Sequence, residues 1–180
     1  MRVFLSLDLP DDMIEAFSKL QDRLKVGRLV DEDDLHLTLA FLGEVDLPAL
    51  EELNLELEML RADPVWIDPR GLDTFGKAEP RSLHVRAVPN DALVHLQRKI
   101  ATKVRGSGID LPHRRFVPHV TLARFGNSMG PEAMTKLGRF LQAHGDFAVP
   151  AMASDSLSMV RSTLGPDGAR YDVLESYAFA

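Results

Sequence analysis

The chain has 180 residues, a formal net charge of -6 and no cysteine. The absence of cysteine excludes disulfides, thiolate metal ligands and cysteine nucleophiles. The acidic balance argues against a protein that grips long stretches of nucleic acid, because such proteins carry a basic domain. No apolar run is long enough to span a bilayer and the N-terminus lacks a signal-peptide pattern, so we expect a cytoplasmic globular protein.

The hydrophobic pattern predicts short strands that alternate with amphipathic helices. Strands are predicted at residues 3–9, 36–43, 65–72, 82–88, 119–126, 156–164 and 169–179. Helices are predicted to begin near Asp11 or Asp12, Pro48, Asn90 or Asp91, and Pro131. The last two strands are predicted to form a hairpin, because the sequence between them, GPDG at residues 165–168, is rich in turn formers.

The order strand, helix, strand, helix occurs once in each half of the chain. This arrangement predicts an α+β, bilobal, pseudo-duplicated fold with a central cleft between two similar lobes. No long flexible linker separates the halves, so residues 1–180 are expected to form a single domain in which each lobe contributes one copy of a repeated motif.

The repeated motif reads HLTLAFLG at residues 36–43 and HVTLARFG at residues 119–126, with five of eight positions identical. Side chains alternate faces along a strand. One face of each copy is therefore expected to carry the histidine, the threonine and the small residue, namely His36, Thr38 and Ala40 in the first copy and His119, Thr121 and Ala123 in the second.

A lone histidine on a strand is more often a structural residue than a functional one, but its recurrence with the same threonine favours a function. Two facing histidines suit a reaction in which one proton is removed and another is delivered, because histidine titrates near neutral pH. The threonine hydroxyls beside them can hydrogen-bond an anion such as a phosphoryl group.

The paired motif resembles that of the two-histidine (2H) phosphoesterases, and within them the RNA 2′,3′-cyclic phosphodiesterases, also called 2′-5′ RNA ligases. The resemblance covers RVFLSLDLP, LHLTLAFLGEV, the FG and PRSLHV region, and RRFVPHVTLAR. It implies mostly antiparallel sheets that line the cleft with helices outside, and hydrolysis of 2′,3′-cyclic phosphate termini to 2′-phosphates without a metal or cofactor. It also implies that His36 is the proton donor and His119 the proton acceptor, with Thr38 and Thr121 binding the phosphate.

The resemblance further implies that RNA ends or small cyclic-phosphate nucleotides are the partners, and we expect a monomer with no membrane partner. The same site must also permit the reverse reaction, 2′-5′ ligation. The alternative is a module that binds RNA ends or nucleotides without turnover, although binding alone does not require a matched acid and base.

Other residues near the motifs are weaker candidates. Arg124 matches an arginine that is common in the family, but strict alternation places it on the face opposite to that of His119, so a bulge or a strand end would be needed for it to reach the cleft. Arg114 and Arg115 are candidates for contacts with the RNA backbone. Leu29 and His84 stand where tryptophans are common in the family. The histidines without a repeated partner are expected to be surface or core residues: His84, His95, His113 and His144.

Metal-dependent chemistry is not expected. Catalytic zinc requires three protein ligands, whereas each motif supplies one histidine and no HExxH sequence is present. The chain also lacks a GxxxxGK[ST] loop, which argues against a nucleotide-driven ligase.

The charges beside the two motifs differ. Residues 31–34 are all acidic and precede His36, whereas Arg114 and Arg115 precede His119. If sequence neighbours are also spatial neighbours, the first histidine is favoured as imidazolium and the second as the neutral base.

Overall fold

The computed structural model describes residues 1–180 and contains ten strands and four α-helices. The strands are β1 (Arg2–Leu7), β2 (Arg28–Leu29), β3 (Leu37–Glu44), β4 (Val65–Ile67), β5 (Pro69–Phe75), β6 (Ser82–Ala87), β7 (His119–Arg124), β8 (Met152–Ser154), β9 (Ser156–Gly165) and β10 (Gly168–Ala178). The helices are α1 (Asp11–Gln21), α2 (Leu47–Glu58), α3 (Asp91–Gly106) and α4 (Pro131–His144).

Side-chain caps begin two of the helices. The Asp46 carboxylate accepts a hydrogen bond from the Ala49 backbone N–H at 3.0 Å at the start of α2. The Asn90 side chain accepts one from the Leu93 N–H at 2.9 Å at the start of α3. These bonds satisfy backbone donors that have no partner within the helix.

Eight strands form one antiparallel sheet in the order β10, β9, β1, β3, β7, β6, β5, with β2 paired to β7. The sheet has two halves that meet where β3 lies beside β7, and there a single residue pair, Leu37 and Val120, is in register. The two strands therefore separate beyond this pair, which opens a cleft between the halves. Strands β4 and β8 form a separate two-stranded sheet.

One apolar core lies on the face of the sheet that is turned away from the cleft. It includes Leu37 and Val120 from the junction of the two halves, and all four helices contribute buried side chains to it. Because the helices cover this face, the opposite face of β3 and β7 is left open to the cleft. The predicted α+β class with mostly antiparallel strands is confirmed, and the single-domain assignment stays a prediction.

Element boundaries differ from the sequence-based ones where prolines and short strands occur. The predicted strand at residues 65–72 is two strands in different sheets, divided at Asp68 before Pro69. The two short strands β2 and β8 were not predicted, because two or three residues carry no readable periodicity. None of the helices is long and apolar enough to cross a membrane.

Candidate active site

The two copies of the motif meet at the junction of the half-sheets. Leu37 of the first copy is aligned with Val120 of the second. His36 and Thr38 are the neighbours of Leu37 on one strand, and His119 and Thr121 are the neighbours of Val120 on the other, so all four lie beside this junction. Leu37 and Val120 are buried in the core, so the histidines and threonines lie on the cleft face.

Both imidazoles are held in the same way. Nδ1 of His36 lies 2.7 Å from the carbonyl oxygen of Asp34, and Nδ1 of His119 lies 2.7 Å from that of Val117. A carbonyl oxygen only accepts, so Nδ1 carries the proton in both rings, and in the neutral form Nε2 has the free lone pair. The Thr38 hydroxyl lies 3.1 Å from Nε2 of His36 and can donate to it. Nε2 is thus the atom of each histidine that is available for proton transfer.

Aromatic rings fix the planes of the two imidazoles. Phe4 stacks on His36 with ring centroids 4.7 Å apart, and Tyr171 contacts its edge at 5.6 Å. Phe75 packs edge-on against His119 at 4.8 Å. These contacts restrict rotation of the rings and therefore aim their nitrogens.

Burial is the largest influence on both histidines and lowers the pKa of each. Hydrogen bonds to the carbonyls of Asp34 and Val117 oppose this effect and raise the pKa of His36 and His119, respectively. The positive charge of Arg124 lowers the pKa of both rings. Burial and the charge of Arg124 therefore favour the neutral form of both rings, and a bound phosphate anion would favour protonation.

The expectation that the acidic residues 31–34 raise the pKa of His36 is wrong. Among them only Asp34 acts on the ring, and it acts through its backbone carbonyl. The carboxylate that does raise the pKa of His36 is Asp8, at the end of β1. Residues 32–34 form a 3₁₀ turn in which Glu32 and Asp33 are exposed and Asp34 is half-buried. Screening by solvent explains the weak influence of the two exposed carboxylates.

Hydrogen bonds hold the Asp8 carboxylate beside this histidine. Its Oδ2 accepts hydrogen bonds from the hydroxyls of Ser156 at 2.7 Å and Ser158 at 3.0 Å. By contrast, no carboxylate acts on His119. The positive charge that acts on this ring is that of Arg124, whereas the sequence led us to expect Arg114 and Arg115. The two matched histidines thus lie in different electrostatic surroundings.

Both motif strands contain a bulge at the same position. The alignment of β1 with β3 skips Leu39, and the alignment of β6 with β7 skips Leu122. An extra residue of this kind reverses the alternation for the residues that follow. Ala40 and Ala123 therefore lie in the core, and the expectation that they share a face with the histidines is wrong.

The bulges bring two further side chains to the cleft face. Arg124 follows the bulge of β7 and is exposed, and its charge acts on both histidines. Phe41 occupies the matching position on β3, where it is 61% exposed and its ring lies 5.9 Å from that of Phe4. The cleft thus combines two histidines, two threonines and a guanidinium around a space suited to an anion.

Comparison with known proteins identifies the family to which this arrangement belongs. A family model described as the 2′-5′ RNA ligase superfamily matches residues 9–162. The chain belongs to the 2′-5′ RNA ligase superfamily. The predicted resemblance is thereby confirmed.

Relatives within this superfamily match nearly the whole chain. The RNA 2′,3′-cyclic phosphodiesterase of Methanocaldococcus jannaschii is 30% identical, over 98% of this chain and 100% of its own length. The enzyme of the same name from Thermotoga maritima is 30% identical over 99% of this chain and 96% of its own length.

Solved structures show the same fold. A protein from Thermus thermophilus superposes with a TM-score of 0.76 at 26% identity, covering 99% of this chain and 98% of that one. Escherichia coli LigT in complex with NADP+ superposes with a TM-score of 0.74 at 24% identity, covering 99% of this chain and 96% of LigT.

The sequence did not indicate how close one further histidine of this 2′-5′ RNA ligase superfamily member lies to the two motifs. His84 was expected at the surface or in the core. It is buried, but it lies on the cleft face across from Thr121, with its ring 5.0 Å from that of His119. Only the pairing of β6 with β7 reveals this position, and no repeated motif marks it in the sequence.

His95 lies on α3, away from the two motif strands. His95 lines a groove of about 800 Å³ between α2 and α3. Glu56 and Lys103 in that groove form a salt bridge with each other at 2.8 Å, so part of its charge is already satisfied. No group of three or more His, Asp or Glu side chains is placed to hold a metal ion.

Proposed function

We propose that the chain hydrolyses 2′,3′-cyclic phosphate ends of RNA to 2′-phosphates, with His36 and His119 as the acid and base. The observation that carries this proposal is the pair of imidazoles on one cleft face, each with Nδ1 bound to a carbonyl and Nε2 available. The relatives named RNA 2′,3′-cyclic phosphodiesterase support the substrate class.

The proposed reaction uses the two Nε2 atoms in opposite directions. His119 removes a proton from water, which attacks the phosphorus atom. The bond between phosphorus and the ribose 3′ oxygen breaks, and His36 protonates that oxygen, leaving the phosphate on the 2′ oxygen. Thr38, Thr121 and Arg124 hold the phosphoryl oxygens and stabilise the charge that develops on them.

The surroundings of the histidines support this division of roles. Burial and the charges of Arg124 and His119 lower the pKa of His36, whereas Asp8 raises it, and a proton donor must be protonated before it acts. His119 lacks a carboxylate of this kind and is the better candidate for the neutral base. The assignment of donor and acceptor agrees with the one expected from the family resemblance.

The proposed partners are RNA ends and small cyclic-phosphate nucleotides. Phe41 and Phe75 are exposed aromatic rings near the histidines and can stack with a base.

Both copies of the motif come from one chain, so a monomer supplies a complete site. Because the acid and the base are side chains, the proposed reaction needs no metal or cofactor. The proposed location is the cytoplasm, which is consistent with an RNA substrate.

A phosphorus NMR assay tests the proposal. The purified protein is incubated in EDTA with a 2′,3′-cyclic nucleotide, a 3′,5′-cyclic nucleotide or a cyclic phosphate of ADP-ribose. We expect the 2′,3′-cyclic nucleotide to give the 2′-phosphate. His36→Ala and His119→Ala are expected to lower turnover by roughly 10²- to 10⁴-fold, whereas His95→Ala is expected to leave it unchanged.

Three outcomes would contradict the proposal. Normal turnover by either folded cleft variant would exclude the two-histidine mechanism. Binding of the cyclic nucleotide without turnover would support the alternative of a binding module. Loss of activity in EDTA with recovery on adding a divalent ion would show that the reaction depends on a metal.

A further inference from the structure

His84 lies at the base of the proposed phosphate site. It is paired across the sheet with Thr121 of β7 on one side and with Asp73 of β5 on the other. Its ring stacks under Phe75 with centroids 4.1 Å apart and lies 5.0 Å from the ring of His119. Only 1% of its surface is exposed.

This imidazole has an unsatisfied polar atom. Nδ1 of His84 is the only fully buried side-chain nitrogen or oxygen in the protein without a hydrogen-bond partner. Buried polar atoms in folded proteins are nearly always paired, and leaving one unpaired costs stability. A phenyl ring at this position would fill similar space without that cost, so packing alone does not explain a histidine. The other ring nitrogen, Nε2, is not among the fully buried unpaired atoms, so it is the one that a ligand in the cleft can reach.

The state of the ring indicates what it can bind. Burial and the neighbouring charge of His119 lower the pKa of His84 to about 4. The neutral ring has one N–H donor and one lone pair. An unpaired buried N–H is rarer than an unpaired acceptor, so the lone pair belongs on Nδ1 and the proton on Nε2.

We propose that the imidazole of His84 donates a hydrogen bond to the phosphoryl group held at Thr121. This inference rests on the proposed function and assigns a third histidine to the site, one that binds the phosphate without exchanging a proton. The first half of the sheet has Ser6 at the matching position beside Thr38, so this contact belongs to only one lobe.

Binding of inorganic phosphate by calorimetry tests the contact directly. His84→Phe keeps the stacked ring but removes the donor, and we expect its dissociation constant for phosphate to rise roughly 10- to 100-fold. His84→Gln places a donor near the position of Nε2 and is expected to bind within a few fold of the unaltered protein. His95→Phe, in the groove between α2 and α3, is the control and should bind unchanged.

A stability measurement separates this role from a structural one. His84→Phe removes an unpaired polar atom, so its thermal unfolding midpoint should equal or exceed that of the unaltered protein. Weaker phosphate binding by a protein of equal or greater stability is the expected result. Unchanged phosphate binding by His84→Phe would overturn the proposal.

A second measurement applies if that variant does not fold. In protein labelled with ¹⁵N at histidine, the ring signals of His84 are assigned from their absence in His84→Gln. Addition of inorganic phosphate should shift them, and no shift would overturn the proposal. Because these measurements read binding, they remain informative if the unaltered protein fails to hydrolyse cyclic phosphates, a result that would count against the proposed function alone.

Discussion

Asp8 is the carboxylate whose charge acts on His36, whereas no carboxylate acts on His119. Removing its charge with Asp8→Asn should lower the pKa of His36, because the carboxylate now raises it. In its proposed role of proton donor, His36 acts only when protonated, so kcat/KM is expected to fall as the pH rises through its pKa. The alkaline limb of the pH profile is therefore expected to move to lower pH in Asp8→Asn.

Asp33→Asn is the matched control for this pH profile, because Asp33 is close to His36 in the sequence but its charge does not act on the ring. Its profile should coincide with that of the unaltered protein. An alkaline limb that moves in the control but not in Asp8→Asn would contradict the role assigned to Asp8.

The charge of Arg124 acts on both histidines, and in the proposed reaction this side chain also binds the substrate. Its charge lowers the pKa of His36 and of His119, so Arg124→Gln should move both limbs of the kcat/KM profile to higher pH. Loss of a charged hydrogen bond to phosphate should also reduce kcat/KM by roughly 10- to 100-fold. Arg115→Gln, which alters an exposed loop charge, serves as the control. A profile that does not move would show that Arg124 lies too far from the histidines to act on them.

At the scale of single residues, the repeated motif predicted part of the site, although the expectation for Ala40 and Ala123 is wrong. It placed His36, Thr38, His119 and Thr121 together because the same strand pattern occurs twice. It did not predict Asp8, which depends on the pairing of β1 with β3. Contacts of this kind come from the sheet register, and neighbours in the sequence are a poor guide to them.

The bulges are the decisive features at the scale of the strands. They turn Phe41 and Arg124 toward the cleft, where strict alternation would have directed them to the core face. A bulge leaves no periodic signal, since it is a local departure from the period of two. This explains why the strands themselves were predicted while the faces of their last residues were not.

The position of Phe41 predicts a contact with the base of the substrate. Phe41→Ala should raise KM for a cyclic nucleotide roughly 5-fold or more, because an aromatic platform contributes to base stacking. The change in kcat should be small. Trp66→Ala removes an equally exposed ring from the separate two-stranded sheet and should leave KM unaltered. Equal effects of the two substitutions would exclude a specific stacking role.

At the scale of the whole molecule, the site exists because two half-sheets meet at one residue pair. The order of strands and helices predicted two similar lobes, and the open cleft follows from the divergence of β3 and β7. The chain fold was predictable because each half carries its own strand and helix signals. The interlobe pairing joins residues 37 and 120, and such distant pairing cannot be derived from local patterns.

The net charge of -6 predicts that the protein contacts only a short stretch of RNA. Each phosphate that a protein neutralises adds to the salt dependence of binding. With few basic side chains in the cleft, the slope of log KM against log salt should not exceed about 2 for a cyclic-phosphate RNA fragment. Lengthening the fragment beyond a few nucleotides should change KM little. A steep slope that grows with RNA length would show an extended nucleic-acid surface instead.

The most direct test of the central claim uses a 2′,3′-cyclic substrate in which sulfur replaces the departing 3′ oxygen. A thiolate leaves without a proton, so the donor becomes dispensable while the base is still needed. We expect turnover by His36→Ala to be largely rescued with this substrate and turnover by His119→Ala to stay low. Rescue of His119→Ala instead would mean that the roles are reversed, and rescue of neither variant would contradict proton donation to the leaving oxygen.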